Sequence, residues 1–206
     1  MKNASIICVL GLLTASASAE EATTFSFDAG KAGEAAKGFT TASGQWSVAA
    51  DESAPSKPNV LAQTAKSGNK EYNAALAEAF SFKDVDLTVQ VKAVGGENDQ
   101  GGGPLWRAKD GKNYYVARIN PLEDNYRLYK VVDGVRTQIG GIEAKVTPGW
   151  HALRVTMKGD EIVCYLDGKE HIRVKDTALA EAGKIGLWTK ADAHTYFDDL
   201  TAKEMK

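Results

Sequence analysis

Beyond residue 80 the chain alternates apolar and polar residues with a period of two. In Val85-Asp86-Leu87-Thr88-Val89-Gln90-Val91-Lys92-Ala93 every odd position is apolar and every even one polar, the pattern of a strand with one face in a core and the other in water. Asp110-Gly111, Asp133-Gly134, Gly159-Asp160 and Asp167-Gly168 interrupt the alternation at short intervals. Such pairs tolerate the positive φ of tight hairpin turns, so each predicts two antiparallel neighbours. Further strands are expected around Phe25–Phe27, Trp46–Val48, Val60–Gln63, Ala74–Phe80, Lys184–Thr189 and Thr195–Ala202, with loops over Ala50–Asn59 and the glycine-rich Gly95–Gly103. Only Ala29–Lys37 carries a helical pattern. Short strands separated by turn signals, without crossover helices, predict an all-β fold: an antiparallel two-sheet sandwich or jelly roll.

A hairpin loop of two or four residues keeps opposed residues on one face, so faces can be assigned from loop length. Across Gly159-Asp160, Leu153, Val155 and Met157 oppose Leu166, Cys164 and Ile162, which places Cys164 in the core as a small hydrophobe. Across Lys109-Asp110-Gly111-Lys112, Trp106 pairs with Tyr115 on the core side and Arg107 with Tyr114 on the other; alternation then adds Arg118 and Asn120 to the side of Arg107. Across Asp133-Gly134, Leu128 meets Ile139 inside, leaving Arg127 and Tyr129 outside with Arg136 and Gln138. Counting Pro121–Asn125 as a five-residue loop would turn Arg127 inward. A bulge, or a loop boundary moved by one residue, keeps it outside; the bulge is preferred because it leaves Leu128 and Ile139 in the core with Ile119.

Arg107, Tyr114, Arg118, Asn120, Arg127 and Tyr129 therefore form the most concentrated polar surface in the chain. Guanidinium and amide groups present fixed donors that suit paired hydroxyls or a carboxylate, and aromatic rings stack on the apolar face of a pyranose. The competing reading is a solvated sheet whose long side chains merely cover it. Trp188 and His194 extend the candidate set, since the loop joining the last two strands would let an indole and an imidazole flank a cleft. His151, beside Leu153, reads as a structural histidine. The Gly95–Gly103 loop lacks the Lys-Ser/Thr ending of a phosphate loop and reads as a rim from which Glu97 and Asp99 reach a ligand. No His, Cys and Asp grouping has zinc spacing. Asp28 with Asp198 or Asp199 is the one pairing considered for calcium, and no metal or cofactor is predicted.

Charge and the N-terminus narrow the setting. With 25 Lys+Arg against 27 Asp+Glu, the chain offers no basic tract for nucleic acid. Residues 1–19 join Lys2, an apolar run from Ile6 to Leu13, and Ala17-Ser18-Ala19, which reads as a cleaved secretory signal. The expectation is a single domain over residues 20–206, exported to a periplasm or beyond, with no membrane insertion after cleavage. Cys8 falls in that signal, leaving Cys164 without a disulfide partner.

Several motifs carry a family likeness. Gly101-Gly102-Gly103-Pro104-Leu105-Trp106-Arg107, Asn113-Tyr114-Tyr115-Val116-Ala117-Arg118, Trp150-His151 with Leu153-Arg154-Val155, Tyr165-Leu166-Asp167-Gly168, Gly183-Lys184-Ile185-Gly186-Leu187-Trp188 and Phe197-Asp198-Asp199 resemble concanavalin A-like sandwiches of the 3-keto-disaccharide hydrolase type. Laminin-G-like binding modules share the same strand and turn pattern. The resemblance covers most of residues 38–204 and implies a secreted jelly roll acting on or binding glycosides, with Arg107 at the ligand face. Where hydrolytic members of the family tend to place a Glu-x-Gln pair, this chain has Tyr115-Val116-Ala117 and then Arg118. The leading expectation is thus a lectin-like sandwich that binds a carbohydrate or glycoside on its Arg/Tyr/Asn face. The alternatives are a hydrolase of 3-keto-disaccharides or related keto-glycosides, using Glu97, Asp99, Glu123 or His194 as acid or base, and a non-catalytic protein-interaction module.

Overall fold

The computed structural model describes residues 22–206, so the signal expected at residues 1–19 lies outside the described residues. In chain order the strands are β1 (Thr23–Phe25), β2 (Phe39–Ser43), β3 (Trp46–Ala50), β4 (Asn59–Gln63), β5 (Tyr72–Phe82), β6 (Val85–Gly95), β7 (Gly103–Asp110), β8 (Asn113–Asn120), β9 (Asn125–Val132), β10 (Val135–Glu143), β11 (Trp150–Lys158), β12 (Glu161–Leu166), β13 (Lys169–Lys175), β14 (Gly183–Lys190) and β15 (His194–Glu204). They make two antiparallel sheets. The first runs β13-β12-β11-β6-β15-β4-β3, with β1 added against β15; the second runs β10-β9-β8-β7-β14-β5-β2. The two are packed face to face as a sandwich, as the alternation predicts.

The core lies where period two puts it. Val85, Leu87, Val89 and Val91 on β6 are fully buried, whereas the intervening Asp86, Thr88, Gln90 and Lys92 are not. Across the gap they meet Trp106, Tyr115, Ala117, Ile119, Leu128 and Leu187 of the second sheet. Each such side chain removed from water contributes roughly 1.5–3 kcal/mol. The predicted pairs Leu153 with Leu166, Val155 with Cys164 and Met157 with Ile162 are all present, as is Trp106 with Tyr115. Asp133 and Gly134 have φ of 51° and 81°, and Asp167 and Gly168 have 50° and 80°, which suits the tight turns those dipeptides announce.

Two local expectations are corrected. Ala29–Lys37 forms turns, and its polar backbone bonds outward: Gly33 N–H donates to the Val48 carbonyl and Val48 N–H to that of Glu34, at 2.8 Å each. Among the described residues there is no α-helix. Between β8 and β9 the boundary moves instead of the strand bulging. Asn120 pairs with Asn125, Arg118 with Arg127 and Ala117 with Leu128, so the loop is one residue shorter than counted and Arg127 stays outside. Asp124, at φ 46°, closes this loop.

Candidate functional site

The outer face of the second sheet, turned away from the core, collects side chains from six neighbouring strands. On β8 the alternating set is Tyr114, Val116, Arg118 and Asn120; β9 contributes Val131, Tyr129, Arg127 and Asn125 in register with it. Trp188 and Lys190 come from β14, and their partners on β5 are Ala74 and Tyr72. This face is not a solvated sheet. Leu105, Tyr114, Val116 and Val131 are fully buried and belong to a second apolar cluster with Ala74, Leu76, Tyr129 and Trp188. Buried polar atoms inside such a cluster need fixed partners.

Most of them have one. The Arg118 guanidinium, 3% exposed, donates from Nη1 to Asn125 Oδ1 at 2.7 Å and from Nη2 to Glu123 Oε2 at 2.8 Å and the Tyr129 hydroxyl at 3.2 Å. Asn125 Nδ2 also donates to Glu123 Oε2, at 3.1 Å. Burial alone would raise the Glu123 pKa, but the bonds from Arg118 and Asn125 outweigh it and hold the carboxyl below its ordinary value. Trp188 Nε1 donates to the Tyr114 hydroxyl at 2.9 Å, so these two rings form a fixed floor. Arg127 is tied to Glu143 on the adjacent β10.

Arg136, whose position opposite Val131 is set by the β9–β10 turn, leans over this floor. Its guanidinium carbon lies 4.3 Å from the Tyr129 ring centroid, 5.4 Å from that of Tyr72 and 5.7 Å from that of Trp188, each a cation–π distance. Beside Tyr72 a hollow of about 580 Å³ opens, lined also by Lys70, Asp110, Lys112 and Gly134.

The glycine-rich loop supplies the opposite rim. The Asp192 carboxylate, in the β14–β15 turn, accepts from the backbone N–H groups of Glu97, Asn98 and Asp99 at 2.8–3.1 Å. Gly96 permits the tight approach: at φ 137° a Cβ there would lie 1.9 Å from the Asp99 carbonyl oxygen. So held, Asp99 accepts from Asn120 Nδ2 and Lys190 Nζ, both at 3.0 Å. Burial raises its pKa and the neighbouring Lys190 and Arg118 only partly reverse this, so the carboxyl retains its proton to higher pH than an exposed aspartate.

Tyr114, Arg118, Asn120, Arg127, Tyr129 and Trp188 are thus brought to one face, and two expected members are not. Arg107 sits in a bulge of β7: Ala108 pairs with Lys184 and Leu105 with Gly186, so Trp106 and Arg107 together oppose Ile185. Its φ of 46° turns the side chain to the sandwich edge. There Nε donates to the Lys83 carbonyl at 2.6 Å, Nη1 to that of Leu179 at 2.9 Å, and Nη2 to Gly159 O at 2.8 Å and Asp84 Oδ1 at 3.2 Å. Arg107 is a structural clamp. His194 begins β15 in the first sheet, its ring edge-on to Tyr196, and lines a separate hollow of about 420 Å³ with Lys66, Glu97, Asn98 and Asp192. It shares no cleft with Trp188. Burial lowers its pKa and keeps it neutral at neutral pH.

Other assignments also separate. His151 is structural, bonded to Asp167 Oδ2 and the Thr147 carbonyl at 2.8 Å each. The carboxylates considered for calcium serve different segments, Asp28 accepting from Asn59 N–H and Asp198 from Ser56 N–H. Among the described residues no three His, Cys, Asp or Glu side chains are grouped to hold a metal. The sequence reading missed Tyr72, Asn125, Arg136 and Lys190 as site residues. Arg136 alone had a usable signal, in its outward parity with Tyr129.

Known proteins place this architecture. The chain is similar to the carbohydrate-binding module CBM66 from Bacillus subtilis, with 22% identity and a TM-score of 0.69 over 81% of this chain and 95% of that one. Domain 4 of AbnA, a GH43 extracellular arabinanase from Geobacillus stearothermophilus solved with arabinotriose, matches with 14% identity and a TM-score of 0.54 over 79% and 76%. The exoplasmic/lumenal domain of VIP36 in its Ca2+/Man-bound form matches with 13% identity and a TM-score of 0.56 over 82% and 83%. At such identities these likenesses concern the fold, which is that of carbohydrate-binding and glycoside-related sandwiches. No curated protein matches the chain in sequence. Residues 25–203, nearly all of the described chain, match the 3-keto-alpha-glucoside-1,2-lyase-like domain, and the chain belongs to that family.

Proposed function

We propose that this protein is exported and binds a carbohydrate or glycoside on the outer face of its second sheet. The observation that carries the reading is Arg118: a guanidinium nine-tenths buried, fixed by Asn125, Glu123 and Tyr129, whose Nε has no partner among the described residues. Around this fixed centre the partly exposed Arg136 and Tyr72 offer a polyhydroxylated ring a donor for the acceptor oxygens on its edge and an aromatic surface for the C–H groups on its face. Arg127, Arg136 and Lys190 supply the polar contacts, positioned by the buried Arg118, Asn120, Tyr129, Trp188 and Tyr114 beneath them. A glycan array on wild type, Arg118→Ala and Tyr129→Ala tests this. Binding by wild type that falls at least tenfold in both variants is expected; no glycan bound, or equal binding by all three, would overturn it.

Asp99 favours a second reading, cleavage of a keto-glycoside. A carboxyl whose pKa burial raises, held beside Lys190 and Arg118, is placed to donate a proton to a departing glycosidic oxygen. Incubation with 3-keto-trehalose and 3-keto-glucosides, following product release, decides it. Turnover abolished by Asp99→Asn is expected; absence of turnover at high protein concentration removes the enzymatic reading and leaves binding.

A further inference from the structure

The charges on this face do not balance, and the excess is localised. Arg118 pairs with Glu123, Lys190 with Asp99 and Arg127 with Glu143. Arg136 has no carboxylate partner among the described residues. Its Nη1 is buried without a hydrogen-bond acceptor, as is Arg118 Nε. The two guanidinium groups flank the same Tyr129 ring, at 4.3 and 5.7 Å from its centroid. Arg136 itself is only partly buried, so the remainder of its guanidinium can meet an anionic oxygen brought in from the adjoining hollow, which would give this cation the partner it lacks. The adjoining hollow continues the excess: Lys70 and Lys112 line it without ion pairs among the described residues, against Asp110, whose carboxylate is bonded to Lys112 N–H and Asn113 Nδ2. Tyr72 belongs to both the ring group and the hollow.

We propose that the saccharide is acidic: a uronate whose carboxylate takes the Arg136 guanidinium, with the oligomer running over Tyr72 toward Lys70 and Lys112. This rests on the reading of the face as a carbohydrate site and names its ligand class. A neutral sugar would leave this partly buried cation unpaired, whereas a carboxylate accepts two parallel N–H bonds from a guanidinium fork. The sugar ring then lies against Tyr72 at the mouth of the hollow, beside Arg136.

The test compares short oligomers of galacturonic, glucuronic and mannuronic acid with their fully methyl-esterified forms, which keep the ring and lose the charge. By calorimetry on the purified chain, at least one acid form is expected to bind about tenfold to hundredfold more tightly than its ester, a preference that shrinks with added salt. Arg136→Gln is expected to erase it and Arg136→Lys to restore part of it. Ligand-observed NMR with glucuronate against methyl glucuronate on wild type gives the same comparison without relying on a variant's folding. Equal binding of acid and ester, or binding of neutral glycans alone, overturns the uronate assignment while the carbohydrate reading stands. A preference that survives Arg136→Gln but disappears in Lys70→Ala with Lys112→Ala overturns the role given to Arg136. Binding of no saccharide, acidic or neutral, overturns both.

Discussion

Two arginines one strand apart show how differently one residue type is used. Arg107 satisfies three carbonyls and Asp84 at the sandwich edge. Arg107→Ala should therefore cost about 1–3 kcal/mol in denaturant unfolding, because it removes four hydrogen bonds that tie the sandwich edge together, while the folded fraction binds glycan as wild type does. Arg118→Ala should reverse that balance, with binding lost by more than stability. Asp198 offers a pH signature. Burial, with the neighbouring Asp199 adding to it, raises its pKa to about 6 despite hydrogen bonds from Ser56 and Asp199. From the ordinary value of 3.8 up to about 6, the native state holds a proton the unfolded chain has released, so stability falls as pH rises through this window. Asp198→Asn keeps an acceptor for Ser56 and cannot ionise. Its unfolding free energy should match wild type near pH 4 and exceed it above pH 6, by on the order of 2 kcal/mol; parallel curves would refute this.

At the scale of elements, the bulge in β7 decides which side chains the site receives. By placing Arg107 out of register it returns Ala108 to the outer cluster beside Leu105 and keeps a cation out of the apolar floor. Gly183 on β14 makes room for it: a Cβ there would lie 2.4 Å from Arg107 C and 2.6 Å from Ala108 N, and backbone atoms cannot yield as a flexible side chain would. Gly183→Ala is expected to cost at least about 1–3 kcal/mol and to speed amide exchange in β7 and β14 before β11 and β12. Uniform exchange across both sheets would argue against a local defect. β2, which the sequence reading did not anticipate, is an edge strand whose central three residues are exposed. With no buried face it carries no alternation, and only its pairing with β5 defines it.

For the whole molecule, closure of the two sheets on one another governs chemistry as well as stability. Cys164 lies in the shared core, fully buried, and burial pushes its thiol pKa far up. An alkylating reagent should leave it unmodified in the native state, with labelling at the global unfolding rate when followed by peptide mass mapping. Rapid labelling while tryptophan fluorescence stays native would show that the sandwich opens locally at β12. Sheet closure also assembles the site, since residues contributed by β5, β8, β9, β10 and β14, and by the loop before β7, span most of the chain.

Alternation and turn dipeptides, both local properties, determined the strands, the hairpins and the inward or outward parity of most residues. That is why Arg118 and Asn120 could be assigned to one face from spacing, with Tyr129 joining them once Leu128 and Ile139 were placed in the core. Parity fails where a residue is inserted, and the irregularity at Arg107 shows as a register shift both against β8 and against Ile185 on a strand some eighty residues away. The reach of Arg136 over Tyr72 and Trp188, the delivery of Asp99 by Asp192 and the separation of His194 from Trp188 all depend on which strands lie side by side and which sheet each joins. Short-range periodicity carries no record of that order. It is settled when two amphipathic sheets bury their apolar faces together, and only then do distant side chains acquire their neighbours.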